Sequence, residues 1–299
     1  MQNALSEAAT LHLGDSDVGI QRDILVYRTY IALKQNSVVL GEISADASTA
    51  APLRAVRLLA QHAQSSGAPR SSALDGLQQL VKESDGMGAA PNAVHLMAAT
   101  ALAADGRHED ALRCVDPLCK VRDLEGLALR TVSLLAMNRR DLAESTVQGM
   151  QSVDDDSTLV HLCSCWTALA AGKTCVGESH DGLSETNMVL KDLSDRFGST
   201  ALLQNCQAAV LMAMGLMPDA QAILADAAGA GSNEASTNSN LAVVTYHTGG
   251  DAATAEQYLQ KVRTAVGEAP LLAGFAEHDK QLQSVVAAYQ AQQGAAATA

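Results

Sequence analysis

Residues Thr200 to Ala228 read TALLQNCQAAVLMAMGLMPDAQAILADAA. The stretch predicts two short helices joined by a tight turn. The first spans Ala201 to Met214 and is apolar on most of its circumference. Gly215 follows, and a glycine just past a helix end can take the left-handed conformation that side chains disfavour. Pro218 opens the second helix, where its missing N–H would be unpaired in any case. Small residues stand where the two helices must touch, Ala208 on the first and Ala220 on the second. Leu224 and Ala227 complete the inner face of the second helix.

Small, Gly-turn, small, large, small at these offsets resembles the tetratricopeptide repeat, a helix–turn–helix unit of about 34 residues. With Ala201 as position one, the pattern recurs along the chain. Downstream, Asn205, Gly215, Ala220 and Leu224 become Asn240, Gly250, Ala255 and Leu259, an offset of 35. Upstream, Leu190 and Leu193 stand one unit before Leu224 and Ala227. Ala99, Gly106, Ala111 and Val115 keep the same internal spacing, as do Thr131, Asn138, Ala143 and Val147. Asn138 takes the turn position, which asparagine tolerates. The prediction is an all-α, right-handed superhelix (a solenoid) of tetratricopeptide-like repeats ending in a C-terminal capping helix. Residues 1–299 would form a single repeat domain: 1–91 as N-terminal repeats, 92–266 as regular repeats, 267–293 as the cap and 294–299 as a tail. The cap carries the stripe Leu282, Val285, Val286 and Tyr289. Gly172 to Gly182 is an insertion in one turn.

Composition agrees. The chain is 47 % hydrophobic and only 3 % aromatic, which suits short helices in close approach better than sheets. A formal charge of −13 with 20 scattered Lys and Arg disfavours nucleic acid and anionic membrane surfaces as partners. No apolar run approaches the length of a spanning helix. Six cysteines without a CxxC pair read as buried thiols of a reducing compartment.

Catalytic and metal-binding patterns are weak. His161-x-Cys163-x-Cys165 has the residue types of a metal site, but residues two apart on a helix diverge and cannot close on one tetrahedral ion. His108-Glu109-Asp110 reads as a solvated helix start, and Asp154-Asp155-Asp156-Ser157 as a helix cap. No P-loop, dinucleotide fingerprint or nucleophile elbow occurs. The expectation is a non-enzymatic protein without cofactor or metal.

A partner would lie in the groove lined by the first helices. Its predicted residues are Leu96, Val132, Leu135, Leu162, Trp166, Asn205, Met212, Asn240, Val244 and His247. Asn205 and Asn240, both assigned to position five, could hold peptide groups of an extended tail, or each could bond its neighbouring helix. An alternative is a co-chaperone clamping a C-terminal carboxylate, but the Lys and Arg of such a clamp are missing from these positions.

Specific strings resemble the coatomer epsilon-subunit family: RDILVYRTYIALKQNSVVLGEI (Arg22 to Ile43), AVRLLAQ (Ala55 to Gln61), HLMAATALAADGRHEDALR (His95 to Arg113) and RTVSLLAMNRRDLAESTVQGMQSVDDDSTL (Arg130 to Leu159). The resemblance extends through the Trp166 helix and the two repeats after it. It implies a helical-repeat subunit of the COPI vesicle coat that grips the C-terminal domain of α-COP. It also implies a cytoplasmic location, peripheral on Golgi membranes and their vesicles, in Golgi-to-endoplasmic-reticulum and intra-Golgi transport. Members of that family begin with a further helix, so the first repeat is expected to be incomplete here. All six cysteines should be reduced and metal-free, and near-stoichiometric zinc in protein purified without chelator would overturn that.

Overall fold

A computed structural model describes residues 2–10, 17–46, 48–85, 92–171, 181–229, 235–266 and 277–289. The helices are α1 (Gln2–Thr10), α2 (Asp17–Ala32), α3 (Asn36–Glu42), α4 (Ala51–Gln64), α5 (Ala68–Asp85), α6 (Asn92–Ala104), α7 (His108–Lys120), α8 (Leu124–Ala136), α9 (Arg140–Gln151), α10 (Thr158–Ala170), α11 (Asp181–Phe197), α12 (Ala201–Ala213), α13 (Met217–Gly229), α14 (Ala235–His247) and α15 (Ala252–Val266). Residues 277–289 form a further helix, and no strand occurs among the described residues. The sequence ends the helix after His108 at Val115, whereas α7 continues through Pro117 to Lys120.

The turns show why these helices pair. Lys34, Gly106, Arg122, Asn138, Gly215 and Gly249 all have φ between 57° and 78°. After each, the next amide reaches back to a carbonyl five residues earlier, for example Arg107 N to Leu102 O at 2.9 Å, Arg139 N to Leu134 O at 2.8 Å and Leu216 N to Leu211 O at 2.9 Å. This left-handed closure satisfies carbonyls that a helix end leaves free, and it reverses the chain within two residues. α6 then packs on α7, α8 on α9, α12 on α13 and α14 on α15. Each first helix also touches the next one, α4 to α6, α6 to α8, α8 to α10 and α12 to α14. Stacked helix pairs of this kind are the predicted tetratricopeptide-like solenoid.

Packing follows the small residues. Ala99, Ala111, Ala143, Ala208 and Ala220 are all at most 1 % exposed. With no side chain beyond Cβ, they let backbones approach, while Val115, Leu190, Leu193 and Leu224 fill the space beside them, also at most 1 % exposed. Each such Val or Leu contributes about 1.5–3 kcal/mol by leaving water.

The chain divides into two compact units, Met1–Ala170 and Ala171–Ala299, where the sequence reading drew one domain. The Gly172–Gly182 insertion falls at this division, and its residues 172–180 lie outside the described ones. The helix over 277–289 forms where a terminal helix was expected. Its stripe, Leu282, Val285, Val286 and Tyr289, is exposed.

One register differs from the sequence reading. α12 and α14 repeat at 34 residues: Leu203, Ala208, Val210 and Leu211 correspond to Thr237, Ala242, Val244 and Thr245, all buried. An offset of 35 would set Val243, 40 % exposed, in place of Ala208. The second helices do repeat at 35, since Ala220 and Ala255 are both fully buried. The extra residue is Gly250, which lengthens the turn. The left-handed residue is Gly249, and a Cβ on Gly250 would stand 2.8 Å from Thr245 Cγ2.

A polar joint ties the N-terminal repeats. His62 on α4 is buried, and its Nε2 lies 3.0 Å from Asp105 Oδ1 in the turn after α6. Arg70 on α5 donates to the same oxygen through Nε at 2.7 Å. Burial alone would raise the Asp105 carboxyl, but hydrogen bonds from Arg70 and His62 hold it below its ordinary value.

Two outcomes follow from this packing. Ala220→Leu should overpack the α12–α13 seam and cost about 1–3 kcal/mol; an unchanged melting temperature would contradict the seam. Because the folded Asp105 value is depressed, its contribution is complete above the unfolded carboxylate value and is lost as pH falls through the folded one. Asp105→Asn should therefore lower stability by about 1.5–3 kcal/mol at neutral pH and flatten the acid limb of the stability curve. Parallel acid limbs for the two proteins would contradict the joint.

Candidate functional site

The first helices present one side that their second helices do not cover. On α8, residues three and four apart share a face, so Glu125, Ala128, Val132 and Leu135 form one row. Val132 is 37 % exposed, and Leu135 is half-buried. On α10 the equivalent row, 34 residues on, contains Trp166 and Leu169, both half-buried. Trp166 packs with Val147, Met150 and Val160, leaving the rest of its indole open. In the second unit the corresponding side of α12 and α14 carries Leu202 at 51 %, Val243 at 40 % and Tyr246 at 53 % exposure, with Met212 half-buried and His247 exposed.

The predicted groove residues therefore separate into two groups. Val132, Leu135 and Trp166 lie on the open side of the first unit, and Met212 and His247 on that of the second. Leu96 and Leu162 are buried, at 8 % and 7 %, and belong to the core between helices. Val244 is fully buried in the α12–α14 seam, because the 34-residue register turns Val243 outward in its place.

Asn205 and Asn240 are not equivalent. In the observed register Ser239 corresponds to Asn205, and Asn240 to Cys206. Asn205 is buried, and its Nδ2 donates to Ala201 O at 2.8 Å and to Thr237 Oγ1 at 2.9 Å. Its Oδ1 accepts from Asn240 Nδ2 at 3.1 Å. Both donors of the Asn205 amide, and its acceptor, are engaged within the fold, in the second of the two roles its sequence position allowed. The pair clips α12 to α14. The doublet Gly249-Gly250 was the one available signal that a turn had grown by a residue.

The other chemistry-bearing residues have structural surroundings. Cys163 and Cys165 are buried on α10, and burial pushes the Cys163 thiol up to about 11, so it stays protonated at neutral pH. Among the described residues no three His, Cys, Asp or Glu side chains are grouped to hold a metal ion. Asp110, beside His108 and Glu109, pairs with Arg107 at 2.7 Å and with Arg113 at 2.7 Å on the surface. Among the described residues no helix is long and apolar enough to cross a membrane.

Two polar features escaped the sequence reading. The His62–Asp105–Arg70 joint assembles from three elements 35 and 43 residues apart. Arg28 on α2 donates to Glu125 on α8 at 2.7 Å, across 97 residues of chain. Neither has a local spacing that announces it.

Similarity to known proteins agrees with this geometry. A tetratricopeptide repeat protein from Parabacteroides merdae superposes with a TM-score of 0.55 at 13 % identity, covering 83 % of this chain and 96 % of that one, which supports the fold. Coatomer subunit epsilon-2 of Oryza sativa subsp. indica is 32 % identical over 249 residues, 83 % of this chain and 78 % of the relative. Coatomer subunit epsilon-1 of Arabidopsis thaliana is 30 % identical over 263 residues, 88 % and 83 % of the two chains. Coatomer subunit epsilon of Caenorhabditis elegans is 29 % identical over 209 residues, 70 % and 66 % of the two. A sequence model of the family described as Coatomer epsilon subunit matches residues 1–290, and with a helical-repeat fold to carry it, this chain belongs to the coatomer epsilon-subunit family.

Proposed function

We propose that this chain, a COPI coat subunit by family, holds the C-terminal domain of α-COP against the open sides of its first helices. It would serve there as a non-enzymatic scaffold at the cytoplasmic surface of Golgi membranes, in traffic from Golgi to endoplasmic reticulum and within the Golgi. The observation that carries this reading is the run of exposed or half-buried apolar side chains at equivalent positions of successive first helices: Val132 and Trp166 in one unit, Val243 and Tyr246 in the other. Soluble surfaces rarely keep such rows without a partner. Aromatic residues flanked by aliphatic ones are the composition of an interface core. A chain of net charge −13 with few free cations on this side favours an apolar or basic partner surface.

The test is calorimetry of the full chain with the α-COP C-terminal domain. Val132→Asp and Tyr246→Asp each place an unpaired charge in the desolvated contact and should weaken binding about 10- to 100-fold, which is about 1.4–2.8 kcal/mol. Both positions are already exposed, so the melting temperature should barely move. Asn205→Ala serves as the contrast: it removes the α12–α14 clip and should lower the melting temperature. Wild-type affinity in both Asp variants would place the grip elsewhere.

A further inference from the structure

The polar contacts that join repeats here mostly link neighbours. Asn205 and Asn240 tie α12 to α14. Arg57 on α4 donates to Ile43 O just past α3 at 2.5 Å, Arg122 after α7 to Ser152 after α9 at 3.0 Å, and Arg140 on α9 to Ala170 O at the end of α10 at 2.9 Å. The Arg28–Glu125 pair has a longer reach. Arg28 stands on α2, which packs on α3 and α4, while Glu125 stands in the first turn of α8, which packs on α6, α7, α9 and α10. The pair therefore connects the first helix of one repeat to that of the third repeat after it, passing over α4 and α6.

Such a contact constrains curvature. Sliding or splaying at the α2–α4, α4–α6 or α6–α8 interfaces adds up along the stack, and a bridge between its ends resists the sum of these displacements. The pair is also well placed to leave the surface free. Glu125 heads the row that continues to Val132, seven residues on, or about 10 Å along the helix at 1.5 Å per residue. The bridge thus spans the near end of the row and leaves Val132 exposed. With side chains 32 % and 40 % exposed, it stays within reach of water and salt.

We propose that the Arg28–Glu125 bridge is a positioning pair that fixes the curvature of the first unit, and so presents the Val132–Trp166 face already shaped for its partner. This inference rests on the partner reading above. The bridge touches no partner itself. It acts by removing conformations in which the rows on α8 and α10 are out of line, so that less ordering is left to the binding step.

Charge reversal separates this role from direct contact. In the full chain, Arg28→Glu and Glu125→Arg each create like-charge repulsion across the stack, and the double variant restores a bridge of opposite sense. Spin labels on ketone-bearing residues replacing exposed Leu25 and Val121 report the spread of distances between α2 and the start of α8 without any partner. Calorimetry with the α-COP C-terminal domain reports affinity. Each single reversal should broaden the distance distribution and weaken binding about fivefold, with both effects shrinking in 1 M NaCl, where screening acts over about 3 Å. The double reversal should recover most of both. A double variant as weak as the singles would overturn the proposal, since residues that contact the partner directly cannot be rescued by exchanging their charges. An unchanged distance distribution in the singles would overturn it as well. If the unaltered chain bound no α-COP domain, the partner reading alone would fail, and the distance measurement would still decide the bridge.

Discussion

Each first helix ends by folding its last carbonyls onto the amides of a left-handed turn, and this closure sets the geometry of everything after it. The turn lets the second helix start within two residues, so the pair lies close enough for its contact to be made by alanine. Ala208 against Ala220, like Ala99 against Ala111, is possible only at that separation. The larger residues beside them, Leu224 or Val115, then fill the space the alanines leave open. A repeat built this way buries one face of each helix pair and leaves an apolar face for the next pair to cover, which is why the arrangement propagates.

Polar groups have a smaller and more specific task. The His62–Asp105–Arg70 joint and the Asn205–Thr237–Asn240 clip both sit where one repeat meets another, and both satisfy side chains that would be costly to bury alone. They define the angle between repeats more than they add stability, because a hydrogen bond has directional preference and an alanine contact has little. The Arg28–Glu125 pair extends the same logic from adjacent repeats to distant ones.

The fold was largely legible because its determinants are local: a small residue, a turn glycine and another small residue within one unit. Gly106, Asn138 and Gly215 announce their turns. Lys34 and Arg122 take the same conformation without that signal, since the backbone closure after them holds a conformation their side chains disfavour by about 1–2 kcal/mol. The candidate face was legible only in part. Val132 and Trp166 were found by counting from alanines in register, whereas Val244 was misplaced by one residue because the count ran through the Gly249-Gly250 turn as though it matched Gly215-Leu216. Asn205 looked available for a ligand because its partner, Thr237, lies 32 residues away and belongs to another repeat. Contacts of that range depend on how repeats dock, which no single repeat encodes.

The added residue at Gly250 illustrates where a repeat array can change length. A residue inserted within α14 would rotate every later side chain by about 100°, since an α-helix makes one turn in 3.6 residues. Ala242 would leave its seam and Val243 would enter it. The same insertion between helices leaves the phase of both intact and displaces only two glycines. Drift in repeat length is therefore absorbed at the corners of the array while the helical faces stay aligned, and a search for one fixed period would lose this chain where it had changed least.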